Sequence, residues 1–129
     1  MKRTLHLAPA LLLGALGTAA AAAAQDAGPP PNFADHVEPI LDEYCVDCHR
    51  GSRARNGLEL TSVPKILAGG SSGAAATPGD PDGSLLVKVI EHTQGPFMPP
   101  DDDKIPEAER GMIRAWIAGG ARVDANDEG

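Results

Sequence analysis

Five consecutive residues, Cys45-Val46-Asp47-Cys48-His49, carry the strongest chemical signal in this sequence of 129 residues. The spacing C-x-x-C-H is the one at which two thiols and an adjacent imidazole attach a haem of the c type. Two intervening residues let both sulfurs reach the same edge of a flat macrocycle, and the next histidine is then placed to reach the iron. The motif therefore predicts one haem c, covalently bound through Cys45 and Cys48, with His49 as an iron ligand.

The same residues have three other uses that must be weighed against haem. A dithiol redox motif sits at a strand-to-helix junction, whereas only a short helical pattern precedes Cys45. A structural zinc site needs four ligands, but the sequence has two cysteines, and His36 and His92 stand alone. A disulfide across two residues closes too small a loop to constrain the unfolded chain much. A plain thiol pair or disulfide stays the main alternative to haem.

The first 24 residues have the features of a secretory signal. Lys2 and Arg3 supply a charged start, an apolar run follows, and small residues ending at Ala24 precede Gln25. We expect export, cleavage and no stable membrane insertion afterwards. Because bacterial haem c motifs imply attachment outside the cytoplasm, we expect a periplasmic location.

The charge of the chain restricts its partners. The sequence has 11 basic and 18 acidic residues, a net charge of −7, which becomes about −9 once Lys2 and Arg3 are removed. Such a surface repels nucleic acid phosphates and anionic lipid headgroups. We therefore expect no nucleic acid partner, and redox protein partners that present a basic or neutral docking face.

The composition divides the rest of the chain into three parts: a flexible Pro/Gly-rich lead at 25–31, one domain at 32–123 and a disordered acidic tail at 124–129. The domain contains few bulky residues, since the whole chain has only four aromatic side chains. A core of this size closes with difficulty unaided. A buried porphyrin would supply the missing apolar mass.

Three helical patterns lie within the domain. The first covers residues 33–44, with Asn32 as N-cap and Pro39 predicting two short pieces or a kink. The second covers residues 85–90 and is capped by Ser84 or Asp80.

The third helix starts at Pro106, buries an apolar face around Trp116, and leaves Arg110 and Arg114 facing water. The stretches 68–83 and 92–105 are too rich in glycine and proline for regular structure. These patterns predict a small all-α fold of short helices and long loops.

These motifs, in this order, resemble the planctomycete-type cytochrome c domains. The matching residues are Phe33 with Pro39-Ile40-Leu41, the Cys45 to His49 motif, Gly57-Leu58-Glu59-Leu60, Pro78-Gly79-Asp80, Ser84-Leu85-Leu86, Met98-Pro99-Pro100, and Trp116-Ile117 with Gly120-Ala121. The resemblance implies a cytochrome c-like fold in which an N-terminal helix crosses a C-terminal one. It also implies a haem cleft between them, with His49 on one side of the iron and Met98 on the other. The sequence departs from the family pattern at Ile105-Pro106, where a polar cap is usual, and at Arg110, where an apolar residue is usual.

Met98 is a better candidate for the second iron ligand than the other methionine and histidine residues of the domain. It follows His49 by 49 positions in a loop that contains three prolines, which hold a soft thioether in place at low entropic cost. Met112 lies on an apolar helix face and is expected in the core. His36 and His92 are expected to be solvated or hydrogen-bonded.

With His49 and Met98 both bound, no coordination position stays open for oxygen, peroxide or substrate. We therefore expect a monomeric electron carrier, not an enzyme. Two alternatives remain: an electron-transfer subunit of a larger dehydrogenase complex, and a small peroxidase or gas-reactive haem protein in which Met98 is loose.

Three further features adjoin the predicted pocket. Phe97 and Pro99 are candidates for its wall, and Trp116 for its back. Arg53 and Arg55 either pair with a haem propionate or lie in a solvated loop. The acidic run 101–103 is either a docking patch for basic partners or a solvated loop.

Overall fold

The computed structural model describes residues 28–124 together with Gly14. The rest of the predicted signal at 1–24, part of the predicted lead and residues 125–129 of the predicted tail lie outside the described residues. Within 28–124 all regular elements are helical, and the one strand-like pairing is an isolated bridge between Gly70 and Gly73. The prediction of a small all-α fold is confirmed.

The N-terminal helical segment consists of two pieces, as Pro39 predicts. A π-helical turn, Phe33–Val37, leads into helix α1, Glu38–Tyr44. Asn32 is the N-cap, since its side-chain oxygen accepts a hydrogen bond from the backbone N–H of Asp35 at 2.8 Å. Pro39 is tolerated because it lies in the first turn of α1, where its missing N–H breaks no helical hydrogen bond.

Helix α2, Val63–Ala68, was not predicted from the sequence. It begins at Ser62, whose hydroxyl accepts a hydrogen bond from the backbone N–H of Lys65 at 3.4 Å. It ends at Gly69, where φ is 73° and an added Cβ would collide with the carbonyl of Gly73. A serine cap, a proline in the first turn and a glycine at the end are the signals that sequence reasoning missed.

Helix α3, Leu85–Ile90, lies where the apolar pattern predicts it, but its N-cap, the predicted Ser84, makes no capping hydrogen bond. Ser84 is the N-cap by position only. Its hydroxyl accepts from the backbone N–H of Thr77 at 2.9 Å and donates to the carbonyl of Asp80 at 2.7 Å. The Asp80 carboxylate in turn accepts from the backbone N–H of Gly83 at 2.9 Å. Both side chains therefore close the preceding loop, which leaves neither free to cap the helix.

Helix α4, Glu107–Ala118, begins one residue after the predicted start at Pro106, which is the N-cap. Three of its apolar side chains, Ile113, Trp116 and Ile117, are completely buried. They form the centre of the core together with residues of the N-terminal segment and α3.

Arg110 of α4 was expected to face water, and this expectation is wrong. Its side chain is 14% exposed, and its guanidinium lies 3.3 Å from the carboxylate of Glu91. The reason is that α4 lies against α3, so the first turns of α4 meet the end of α3 at Glu91. Arg114 does reach the surface, where it pairs with Asp82.

The two ends of the domain are joined. The backbone N–H of Phe33 and the indole N–H of Trp116 both donate to the carbonyl of Arg122, at 3.0 and 2.9 Å. The Phe33 and Trp116 rings lie 5.7 Å apart at 45°. The N-terminal turn thus contacts α4. The family resemblance implied more than this contact, namely a helix crossing with the haem cleft between the two helices.

The connections carry little regular structure. Two 3-10 turns, Gly51–Arg53 and Arg55–Gly57, follow the cysteine motif, and most of 69–83 and all of 92–105 lack helices or strands, as predicted. None of the helices in the described part of the chain is both long enough and apolar enough to cross a lipid bilayer.

Candidate cofactor site

One cleft brings together the four residues that the sequence selected, Cys45, Cys48, His49 and Met98. Three come from the turn after α1, and Met98 comes from the loop after α3. The cleft holds about 1150 Å³ of empty space, counting its open mouth, and most of its wall is apolar. Its apolar lining includes Leu58, Leu60, Leu86, Val89, Ile90 and Ile105. Concave apolar sites with a few placed polar groups are typical of cofactor binding.

The cysteine motif reaches this cleft because α1 ends in a tight turn. The backbone N–H groups of Cys45 and Val46 both donate to the carbonyl of Leu41, at 2.8 and 3.0 Å, and that of His49 donates back to Cys45 at 3.2 Å. This turn buries Val46 and His49 and leaves Cys45 half-buried and Cys48 exposed. Both thiols and the imidazole therefore face one cleft.

His49 is held in one tautomer. Its ring is buried, and Nδ1 lies 3.1 Å from the carbonyl oxygen of Leu58. Because a carbonyl oxygen can only accept, Nδ1 carries the hydrogen and donates it. In the neutral ring Nε2 is then left with a free lone pair, as an iron ligand requires. The backbone is fixed as well, since the N–H of Leu60 donates to the carbonyl of His49 at 2.9 Å.

The two cysteine side chains lie in differing environments, Cys45 half-buried and Cys48 exposed. Burial, with a smaller contribution from the neighbouring Cys48, raises the pKa of the Cys45 thiol to about 11. Dithiol redox motifs work by lowering a thiol pKa towards neutrality. The environment of Cys45 has the opposite effect, which disfavours a redox role for the pair.

Met98 is half-buried, packs against the core and lines the cleft. Its backbone N–H donates to the carbonyl of Val89, the last but one residue of α3, at 3.0 Å. Its carbonyl accepts from Nε2 of His92 at 3.2 Å. The thioether therefore projects from a backbone that is hydrogen-bonded on both sides of its Cα.

The competing ligands lie elsewhere. Met112 packs against the core from α4 and does not line the cleft. His36 accepts a hydrogen bond at Nδ1 from the backbone N–H of Asn32 at 3.1 Å, and His92 donates to Met98. Both histidines are hydrogen-bonded, as expected. Within residues 28–124 no group of three or more His, Cys, Asp or Glu side chains is arranged to hold a metal ion.

The predicted pocket walls are only partly correct. Pro99 lines the cleft, whereas Phe97 is 52% exposed and stacks on the ring of His92. Trp116 is buried against Phe33 in the core and does not reach the cleft.

Of the charged residues that were predicted near the pocket, only some line the cleft. Arg55 lines it, but Arg53 lies in a shallow groove outside it, beside Cys48. Asp101, Asp102 and Asp103 are all exposed.

Several polar residues of the cleft rim were missed. Asn56 and Ser71 lie on the same side as Arg55, and both the backbone N–H and the hydroxyl of Ser71 donate to the carbonyl of Asn56, at 2.8 and 2.9 Å. Tyr44 lines the cleft too, and burial together with the nearby Glu109 carboxylate raises the pKa of its phenol. A low-complexity glycine and serine loop carries no spacing signal from which such contacts could be predicted.

The donor set suits haem c. Two thiols lie in the wall next to an imidazole with a free Nε2, a thioether projects from a different loop, and apolar side chains form most of the remaining wall. An arginine at the polar rim offers a cation for a carboxylate.

Comparison with known proteins agrees with this chemistry. Residues 45–102 match the family model described as Planctomycete cytochrome C, a segment that includes both cysteines, His49 and Met98. No curated protein and no solved structure shows a significant match to the chain.

Proposed function

We propose that the protein is a periplasmic electron carrier with a single covalent haem c, because residues 45–102 match the family model described as Planctomycete cytochrome C. The observation that carries the proposal is the meeting of Cys45, Cys48, His49 and Met98 in one largely apolar cleft. The roles of the individual residues follow from their positions.

Cys45 and Cys48 would hold the haem through thioether bonds, and His49 and Met98 would ligate the iron. Haem supplies a one-electron Fe(II)/Fe(III) couple when it is bound. The hydrogen bond from His49 to Leu58 fixes the Nδ1–H tautomer and the ring orientation, so that Nε2 of the neutral ring presents its lone pair to the cleft. The apolar walls limit the access of water, and thioether ligation favours the ferrous state relative to a second imidazole.

With His49 and Met98 both bound to the iron, no coordination position would stay open for peroxide or oxygen. This arrangement favours electron transfer over catalysis, because a peroxidase needs an open position. The absorption of the purified protein in both redox states, with and without carbon monoxide, tests this point. We expect low-spin spectra, a near-infrared sulfur-to-iron band in the oxidised state, and no rapid carbon monoxide binding after reduction. High-spin spectra with rapid stoichiometric binding would support the peroxidase or gas-reactive alternative.

We propose that the signal at 1–24 directs export and is removed before Gln25. The family supports this location, since cytochrome c domains typically work outside the cytoplasm. N-terminal sequencing of protein from a periplasmic extract is expected to begin at Gln25. Protein that keeps Lys2 and Arg3 and stays with the membrane fraction would contradict the proposal.

The partner is proposed to be a redox protein with a basic or neutral docking face. The net charge is −7, about −9 without Lys2 and Arg3, and the exposed run 101–103 directly follows the Met98 loop. Charge of this sign attracts cationic partners at low ionic strength. Oxidation by a cationic cobalt complex is expected to slow with added salt, and oxidation by ferricyanide to speed up. The reverse salt dependence would contradict a basic partner.

Whether the carrier works alone is a separate question. We propose a free monomer, and gel filtration of protein from native extracts tests it. Elution at the size of one chain supports a mobile carrier. Stable co-elution with a dehydrogenase would instead support the alternative role as an electron-transfer subunit.

A further inference from the structure

The loop between α3 and Met98 is closed on itself by a histidine that the proposed mechanism does not use. Nε2 of His92 lies 3.2 Å from the carbonyl oxygen of Met98. Since that oxygen can only accept, Nε2 carries a hydrogen and donates it. The backbone N–H of Met98 is already bonded to Val89 at 3.0 Å. Together these two bonds fix the peptide groups on both sides of the methionine side chain.

His92 is itself held firmly. Its backbone lies in the left-handed region, with φ at 58°, which turns the chain sharply at the end of α3. Its ring stacks on that of Phe97, with centroids 4.8 Å apart and planes within 6° of parallel. This stack accounts for the position of Phe97, which is otherwise 52% exposed. The loop is thus closed by an aromatic stack and a hydrogen bond, both made by one imidazole.

We propose that His92 is a positioning residue for Met98, which holds the thioether over the cleft without touching the iron. The inference depends on the proposed role of Met98 as the second ligand. Nε2 of His92 is occupied by the Met98 carbonyl, so this nitrogen supports the ligand and does not compete with it.

The hydrogen bond from His92 should affect how readily an external ligand replaces the Met98 thioether. For an external ligand to replace the thioether, the loop must open, and the hydrogen bond from His92 opposes that opening. One neutral hydrogen bond contributes enough to change such an equilibrium by roughly fivefold to tenfold. Removing the imidazole is therefore expected to raise the apparent affinity of the oxidised protein for external imidazole by about that factor.

The test uses the full chain, matured with haem, and four variants. His92→Ala removes both the hydrogen bond and the stack. His92→Gln keeps an N–H donor, because Nε2 of glutamine is as many bonds from the Cα as Nε2 of histidine. His92→Asn keeps a residue that tolerates positive φ but has a shorter amide. Thr93→Ala is the matched control, because Thr93 donates a side-chain hydrogen bond from the same loop to Lys88 at 3.2 Å and not to Met98.

Imidazole titration, followed by loss of the sulfur-to-iron band, gives the apparent affinity, and urea unfolding gives the overall stability. We expect fivefold to tenfold tighter imidazole binding in His92→Ala and His92→Asn. Binding within twofold of the original is expected in His92→Gln and Thr93→Ala. A merely structural role would lower the urea midpoint without changing the ligand equilibrium.

The proposal is overturned if His92→Ala binds imidazole like the original protein, or if Thr93→Ala changes the affinity equally. Failure of the proposed ligand role gives a different result. In that case the original protein lacks the sulfur-to-iron band, or Met98→Ala leaves that band unchanged.

Discussion

Ser84 provides the sharpest stability prediction, because its small side chain makes two hydrogen bonds at a fully buried position. It is 1% exposed, accepts from the backbone N–H of Thr77 at 2.9 Å and donates to the carbonyl of Asp80 at 2.7 Å. These bonds close the loop that precedes α3, and α3 in turn holds Met98 through Val89. The loop therefore fixes one wall of the cleft.

Replacing Ser84 by alanine removes both bonds and adds no steric conflict. At about 1 kcal/mol net for each bond, the loss of unfolding free energy is about 2 kcal/mol. With the urea dependence typical of small domains, the unfolding midpoint should fall by roughly 1 M.

The assay is urea unfolding of the haem-loaded protein, followed by far-ultraviolet circular dichroism. Ser52→Ala serves as the control, since Ser52 is exposed and the change should cost less than about 0.5 kcal/mol. If Ser84→Ala is no more destabilising than Ser52→Ala, the hydroxyl does not hold the loop and the reasoning is refuted.

Three further predictions concern charge and ionisation. A double-mutant cycle of Glu91→Gln and Arg110→Gln should give a coupling energy of about 1 kcal/mol, because these side chains are only 27% and 14% exposed. A cycle on Asp47 and Arg50, which are 3.9 Å apart and 91% and 65% exposed, should give no measurable coupling; equal values would contradict the assigned burial. In the haem-free chain, Cys45 should react with iodoacetamide much more slowly than the exposed Cys48 at neutral pH, and its rate should rise until about pH 11. Folding of the haem-free chain raises the pKa of Cys45 from 9.0 to about 11. The contribution of this thiol to the free energy of unfolding is therefore fully present below pH 9 and is lost as the pH rises towards 11. Cys45→Ala should abolish this loss of stability.

Sequence reasoning succeeded where the signal is local. The helical spacing from Phe33 to Tyr44, the cap at Asn32 and the apolar face around Trp116 all depend on neighbours within a few residues. The cysteine motif is local too, and its chemistry can be read without a fold. The proximity of Met98 to the motif needed the family resemblance, because nothing in the residues between them fixes that distance.

The wrong expectation for the exposure of Arg110 has a tertiary cause. Arg110 follows the pattern of an exposed position, but α4 lies against the end of α3, where Glu91 supplies a carboxylate for it. Helix α2 was missed because its pattern is weak: like α3 it spans six residues, but it buries only two side chains, Val63 and Ile66, against four in α3.

The hydrogen bonds of the site were equally beyond sequence reasoning. The bond from His49 to Leu58 and that from His92 to Met98 both end on backbone carbonyls. Every residue has a carbonyl, so no residue type marks these acceptors in the sequence.

The central claim is that one haem is covalently attached through Cys45 and Cys48. The most direct test is the mass of the denatured protein after export in a host with complete cytochrome c maturation. We expect a red protein with the mass of the chain from Gln25 plus one haem, and loss of that haem mass when both cysteines are replaced by serine. A colourless product with the mass of the chain alone, or two hydrogens lighter, would contradict it.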